Sequence, residues 1–331
     1  MITNNRIKLT SLIKKLPDEA VLTLCETAES LLQANNKAVL PACPYCSGTQ
    51  VVKNGHKRKK QAYLCRECKR SFVSTTNTIM AYSHMSAEAW EDLMQDTVSG
   101  HSIDYSAERL GVSHQTAYSM RHKFLMALED VNAEYPITLD NVTELDETFI
   151  LDSYKGKQLP ESVERKPRKH GQGAQKPGLN HELICIRTGV ERHGNALAMT
   201  VNRAKPSANE LKDVFTGHIT EGALALCDGL RGYKRLEETT NCSVKSVLDE
   251  ENHKFFHLNT VNSFHSFIKK RIAFYRGVAT KYLNRYNGLF ALAFRHSVDA
   301  MDSLLKLLLN VGSVDRFYSI NNTLSVGLLA I

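Results

Sequence analysis

Apolar positions recur at two different periods along this chain, and the change of period divides it. Over residues 5–35, Leu9, Leu12, Ile13 and Leu16 fall at helical spacing, and Pro17-Asp18-Glu19 opens a second helix running to Leu32. Residues 86–129 read as a small helical domain in which Ser86 caps a helix beginning Ala87-Glu88-Ala89-Trp90. From about residue 142 the runs become short and strand-like. Thr143–Leu151 reads as a strand, and His181–Gly189 and Ala196–Val201 as two more around the hairpin loop Glu191–Asn195. A helix follows from Ser207 to Phe215, then a short buried strand, Ala223–Cys227, ending at Asp228-Gly229. Ser243–Leu248 reads as another strand, and residues 260–310 as mostly helical. The expectation is an α/β domain with its own core. A basic, Gly- and Pro-rich stretch from Lys155 to Leu179 interrupts it as a loop.

Length and composition narrow the class without choosing a function. A chain of 331 residues holds roughly two domains at about 150 residues each. Hydrophobic residues at 42% and charged residues at 23% exclude a disordered or fibrous protein. No run approaches the ~20 apolar residues that span a bilayer, and the first residues lack a secretory pattern, so a soluble, cytoplasmic protein is expected. The net charge of +7 only tilts the expectation toward polyanionic partners. No internal repeat or low-complexity tract is evident.

The cysteines carry the first specific chemistry. Cys43-Pro44-Tyr45-Cys46 and Cys65-Arg66-Glu67-Cys68 form two Cys-x2-Cys pairs separated by 18 residues. That spacing suits a structural Zn²⁺, because two thiolates on each of two tight knuckles close a tetrahedron. Metal binding then supplies folding free energy that so short a segment cannot draw from a core. Two disulfides or four idle thiols are the alternatives, disfavoured by a reducing compartment and by the paired spacing. Cys185 and Cys227 lie in apolar runs and read as small buried hydrophobes, and Cys25 and Cys242 show no grouping. Between the knuckles Asn54-Gly55 signals a hairpin turn, with Val51-Val52 and Tyr63-Leu64 paired as strands. The tip carries Lys57, Arg58, Lys59 and Lys60, with Glu67 alone opposing the charge between Lys53 and Arg70. Contacts to phosphates are expected there, against the alternative of a solvated loop.

The segment Tyr105 to Tyr118 has the pattern of a helix-turn-helix. Ala107 lets two helices cross closely, Gly111 permits the turn, Val112 plugs the core and Ser113 caps the second helix. That helix would offer His114, Gln115, Thr116, Ser119 and Arg121 to a major groove. A generic helical hairpin is the plainer alternative.

The α/β segment concentrates acids at strand positions. Asp146 lies within the first strand, and Asp228 sits where the fourth meets Gly229, at an edge where α/β sheets place ligands. Two carboxylates brought together repel unless a divalent cation bridges them, and Mg²⁺ favours such oxygen donors. Downstream, Asn262 and Lys269 are seven residues apart and so share one helix face. Asn262 offers an amide oxygen to a metal and Lys269 an ammonium to a phosphate.

The zinc ribbon, the helix-turn-helix, Glu144-Leu145-Asp146-Glu147, Asp228-Gly229 and Asn262-x6-Lys269, in this order, resemble the insertion-sequence transposases of the DDE superfamily. Within them the chain is similar to the bacterial group with an N-terminal zinc ribbon and Asn at the third acidic position. The resemblance runs from about Pro41 to Arg295. It implies an RNase H-like catalytic domain, two Mg²⁺ ions, and strand cleavage and transfer at transposon ends. It carries the catalytic set onto Asp146, Asp228 and Asn262, with Lys269 as basic companion, and matches His257 to a position where such enzymes often hold His. The departure is Asn262 in place of the usual Glu. Asn cannot act as a base and adds no charge, and Glu250 or Glu251 is the alternative carboxylate.

The expected organisation is multidomain α/β. Residues 1–40 form an N-terminal helical segment, 41–75 the zinc ribbon and 84–135 the helix-turn-helix domain. Residues 142–310 form the RNase H-like catalytic domain, a mixed sheet flanked by helices with a basic loop 153–180, and 311–331 a C-terminal tail. The expected partners are double-stranded DNA (inverted repeats and target) and a second copy, as a dimer or larger on DNA, near a prokaryotic nucleoid and at no membrane. Lys155, Lys157, Arg165, Lys166, Arg168, Lys169 and Lys176 form either an arm ordered by DNA or a solvated loop. Arg271, Tyr275, Arg276, Lys281, Tyr282, Arg285 and Tyr286 are weaker candidates for the DNA path. A non-enzymatic zinc-ribbon/helix-turn-helix regulator derived from a decayed transposase is the rival reading, and a nuclease that cuts without joining is another.

Overall fold

The computed structural model describes residues 40–296, apart from 58, 135–136, 162, 164–165, 167–172, 176, 204–207 and 230, together with 19–20 and 22–23. The expected N-terminal helices, apart from those four helical residues, and the 297–331 region lie outside the described residues. The chain separates into two compact units, one holding residues up to 99 and 103–131, the other 100–102 and 132–296. Among the described residues no helix is long and apolar enough to cross a membrane.

The first unit opens on a three-stranded antiparallel sheet of β1 (Val51–Lys57), β2 (Lys60–Cys65) and β3 (Ser71–Val73). Val52 pairs with Leu64, as the pattern predicts, but Asn54-Gly55 is not the turn. The register slips between Lys53 and His56, so the dipeptide forms a bulge. Gly55 takes φ +63°, and its carbonyl accepts the Gln61 side-chain amide at 2.8 Å. The strands continue to the pair Lys57–Lys60, and Lys59 takes the left-handed turn position at φ 65°. A side-chain amide thus satisfies the bulge, and the reversal moves four residues on.

Three helices follow, α1 (Ala87–Ser99), α2 (Ile103–Leu110) and α3 (His114–Glu134). Ser86 Oγ accepts the Ala89 N–H, and Ser113 Oγ accepts the Thr116 N–H, so both predicted caps form. Gly111 between α2 and α3 has φ +63°, a conformation that costs a side-chained residue more. Val112 is half-buried rather than a core plug, whereas Ala107, Ala117, Met120 and Phe124 are buried.

The second unit is a five-stranded mixed sheet in the order β6-β5-β4-β7-β8. Its strands are β4 (Val142–Leu151), β5 (Leu183–Glu191), β6 (Ala196–Arg203), β7 (Leu224–Cys227) and β8 (Ser243–Ser246). β4, β5 and β6 run antiparallel, while β7 and β8 run parallel to β4. One face packs on α4 (Ala208–Phe215) and α5 (Arg235–Thr240) through Leu139, Leu145, Leu197, Phe215, Ala225 and Tyr233. The helix α6 (Asn259–Phe274) lies against β4 and β5, and α7 (Leu283–Arg295) against β6. Because side chains alternate along a strand, Leu145 enters the α4/α5 core while Glu144 and Asp146 face α6.

Candidate functional site

Parallel pairing brings the two aspartates together. Val142, Thr143 and Glu144 pair with Leu224, Ala225 and Leu226. Carried two residues further, this register sets Asp146 beside Asp228. The Asp146 carboxyl is pushed up to about 6, by burial first and then by the charge of Asp228; the Glu147 N–H and Lys269 act the other way. That N–H donates to Asp146 Oδ1 at 2.8 Å. Gly229 follows Asp228 at φ +91°, and a Cβ there would lie 2.9 Å from Ser246 Oγ, so the turn needs glycine.

The α6 helix supplies the rest of the face. Asn262 and Lys269 are exposed, and His265 lies between them, one helical turn from each. His265 is 7% exposed, and its Nδ1 lies 3.8 Å from Asp146 Oδ2. Its Nε2 is 2.6 Å from Thr188 Oγ1, and that hydroxyl donates to the Asp146 carbonyl at 2.9 Å. Burial, and then Lys269, push the imidazole down to about 4, which keeps it neutral. Sequence reasoning missed both His265 and Thr188. The offset of three residues from Asn262 was the available signal for His265; Thr188 had none.

Glu144 fixes where α6 begins. Its carboxylate is fully buried and accepts the N–H groups of Thr260 and Val261 at 2.8 and 3.0 Å and the Thr260 hydroxyl at 3.1 Å. Negative charge at a helix N-terminus is favourable, and these are donors the helix cannot satisfy itself. Arg192 Nε donates to Glu144 at 2.8 Å, while its Nη2 donates to the Phe255 and His257 carbonyls. His257 Nδ1 lies 3.4 Å from Glu144, so the structure places this His in the clamp beneath α6. Glu250 pairs with Lys245 at 2.9 Å. On the opposite face of the sheet Glu147 accepts the Tyr233 hydroxyl at 2.9 Å, and burial pushes its carboxyl up.

The four cysteines converge. Cys43, Cys46, Cys65 and Cys68 have all their sulfurs within 4.8 Å of one another, the one such set of three or more His, Cys, Asp or Glu among the described residues. The pairs Cys43–Cys68 and Cys46–Cys65 are 3.6 Å apart, unoxidised, close to the edge of about 3.8 Å that Zn–S bonds of about 2.3 Å give a tetrahedron. Each knuckle repeats one geometry. Ser47 N–H donates to Cys43 O and Lys69 N–H to Cys65 O, and both residues take the left-handed conformation. The Cys68 N–H holds the Cys65 thiol down at about 7.

The candidate DNA residues do not share one fate. Lys57 and Lys59 are exposed, Lys60 is half-buried beside Thr75, and Arg58 lies outside the described residues. His114 and Gln115 are exposed and Thr116 half-buried at the start of α3. Arg121 is 1% exposed, and its guanidinium donates to Ser106 Oγ, so it braces α2 against α3 instead of facing a groove. Arg121 lies six residues on from the exposed Gln115, about a third of a turn away around the helix, so it points to a different face. Lys155 also leaves the proposed arm. Its ammonium donates to the carbonyls of Tyr275, Arg276 and Gly277 just past the C-terminal end of α6. Arg165, Arg168, Lys169 and Lys176 lie outside the described residues. Tyr275 and Tyr286 are buried and pack together, whereas Lys281 and Arg285 both sit over the Tyr282 ring.

Residues 138–296 match the family model of the ISXO2-like transposase domain. An uncharacterized protein in transposable element ISH50 of Halobacterium salinarum is 24% identical over 256 residues, covering 76% of this chain and 84% of that protein. A solved pre-cleavage Mos1 transpososome matches at 10% identity over 69% of this chain and 79% of that one, with a TM-score of 0.26. The simian T-cell lymphotropic virus intasome in complex with PP2A regulatory subunit B56 gamma matches at 8% over 60% and 66%, with a TM-score of 0.29.

Proposed function

The chain belongs to the insertion-sequence transposases of the DDE superfamily, and from that premise we propose that it binds transposon ends and catalyses metal-dependent DNA strand cleavage and transfer. The observation that carries the reading is that Asp146 on β4 feels the charge of Asp228, which follows β7 next to it, on the face covered by the helix that bears Asn262 and Lys269. The mixed five-stranded sheet with α6 laid on β4 and β5 supports an RNase H-like domain.

The donor set fits a divalent cation. Burial and the charge of Asp228 both work against the charged form of Asp146, and the ammonium of Lys269 opposes them there. Oxygen donors of this kind suit Mg²⁺, to which Asn262 would add a neutral amide oxygen. When bound, the ion polarises a phosphoryl oxygen and makes water or a 3′-hydroxyl nucleophilic at neutral pH. Asp146 and Asp228 orient that centre from a rigid sheet, so reorganisation during the reaction is small. Lys269 offsets charge on the phosphate, and Asn262, which cannot take a proton, serves only in orientation. The four-cysteine cluster holds Zn²⁺ and stiffens a basic hairpin for backbone contacts, while His114, Gln115 and Thr116 approach base edges. Two ends must be held together, which calls for a dimer or larger assembly on DNA in a prokaryotic cytoplasm.

The test is a strand-transfer assay with the full chain, DNA from the ends of its element and Mg²⁺. Cut and joined products with wild-type protein, and neither with Asp146→Ala or Asp228→Ala, are expected. Wild-type rates in either variant overturn the assignment, and end binding without any Mg²⁺-dependent cleavage identifies a regulator.

A further inference from the structure

The arrangement of protons around His265 goes beyond the oxygen set described above. The Thr188 hydroxyl has one proton, and it is given to the Asp146 carbonyl at 2.9 Å. Toward His265 Nε2, 2.6 Å away, Thr188 Oγ1 therefore acts as an acceptor, and the imidazole must carry its proton on Nε2. With its Nε2 engaged by Thr188, the ring has Nδ1 left to offer to a ligand. That nitrogen faces Asp146 Oδ2. The other carboxylate oxygen, Oδ1, is occupied by the Glu147 N–H, so Oδ2 is the one turned toward the ring.

His265 Nδ1 and Asp146 Oδ2 stand 3.8 Å apart, too far for a direct hydrogen bond. The span is shorter than the about 4.2 Å that two metal–ligand bonds of about 2.1 Å reach, so one ion can touch both atoms. The contact that fixes the orientation of a metal-bound imidazole is also in place: the far ring N–H is held by an oxygen acceptor, here Thr188 Oγ1. We propose that His265 Nδ1 is a nitrogen ligand of the ion held by Asp146, so that this active site has a mixed nitrogen–oxygen donor set. The inference rests on the reading that Asp146 holds a catalytic ion. It also assigns a consequence: an imidazole donor favours Mn²⁺ and later first-row ions over Mg²⁺.

The experiment uses the full-length, zinc-loaded protein titrated with Mn²⁺ and examined by electron spin-echo envelope modulation. Expected is a ¹⁴N modulation of a directly bound imidazole that converts to the ¹⁵N pattern on selective ¹⁵N-histidine labelling. It disappears in His265→Gln and persists in His257→Gln, which alters the other histidine ring beside α6. Mn²⁺ affinity falls on the order of tenfold in His265→Gln while Mg²⁺ affinity moves much less. The labelled wild-type protein answers even if His265→Gln fails to fold. Mn²⁺ bound in a way that Asp146→Asn abolishes, but with no imidazole modulation, overturns this proposal and leaves the catalytic reading intact. No Asp146-dependent Mn²⁺ binding at all overturns both.

Discussion

Glu144 on β4 accepts the backbone N–H of Val261 on α6 at 3.0 Å, and this contact ties the strand of Asp146 to the helix of Asn262 and Lys269. Glu144→Ala removes the acceptor of four hydrogen bonds and leaves the half-buried Arg192 unpaired, which costs about 3–5 kcal/mol. Glu144→Gln keeps the shape but loses the charge. It is expected to lower cleavage about tenfold or more, with end binding unchanged, because only the helix bearing the proposed site residues Asn262 and Lys269 is loosened. Hydrogen exchange of the Thr260 and Val261 amides measures the loosening directly; protection equal to wild type in Glu144→Gln contradicts it.

Asp146→Asn and Asp228→Asn keep the strand geometry and remove the charge that a cation would meet. Each is expected to reduce cleavage by about 10³-fold or more at constant affinity for end DNA. Single-turnover cleavage beside a gel-shift titration separates the two quantities.

Zinc removal is expected to unfold the ribbon before anything else. The sheet of β1, β2 and β3 has only the small cluster of Cys43, Val51, Cys65 and Phe72 beneath it, too little to stand without the ion. Chelation, or Cys65→Ser, should abolish the dispersed amide signals of residues 43–73 and weaken end binding, while the second unit keeps its own. One zinc per chain by elemental analysis is the companion measurement.

Arg121 and Gln115, six residues apart on α3, should respond oppositely. Arg121→Ala removes a buried brace to Ser106 and is expected to lower the melting temperature by several degrees. Gln115→Ala at the exposed start of the helix should leave melting unchanged and weaken end binding on the order of tenfold. Loss of end binding in folded Arg121→Ala with wild-type melting contradicts the buried assignment.

The acid limb of stability has an identifiable contributor. Burial alone would raise the Asp152 carboxyl, but the Thr280 hydroxyl and the Arg203 guanidinium outweigh it and hold it below the ordinary carboxylate range. A carboxyl lowered in the folded state stabilises above its unfolded value of about 3.8 and loses that contribution as pH falls through the folded value. Asp152→Asn is therefore expected to be less stable than wild type at pH 7, by about 1–3 kcal/mol, with the gap closing at the lowest pH values. Chemical denaturation between pH 2 and about 7 measures this; a constant gap counts against it.

Local chemistry explains which features were legible. The two Cys-x2-Cys pairs, the Ser86 and Ser113 caps, Gly111 and the alternation along β4 are all decided within a few residues, by ligand spacing, capping bonds and side-chain direction. Asp146, Asp228, Asn262 and Lys269 could be singled out by residue type, spacing and resemblance to a family. Contacts between distant segments could not. That Glu144 meets Val261, that His265 turns its ring between Thr188 and Asp146, and that Arg121 and Lys155 spend their charges inside the fold are consequences of strand register and helix rotation. Those are set when the sheet and α6 bury their apolar faces together. A one-residue slip in that packing would turn each of these side chains elsewhere, and no short stretch of sequence encodes it.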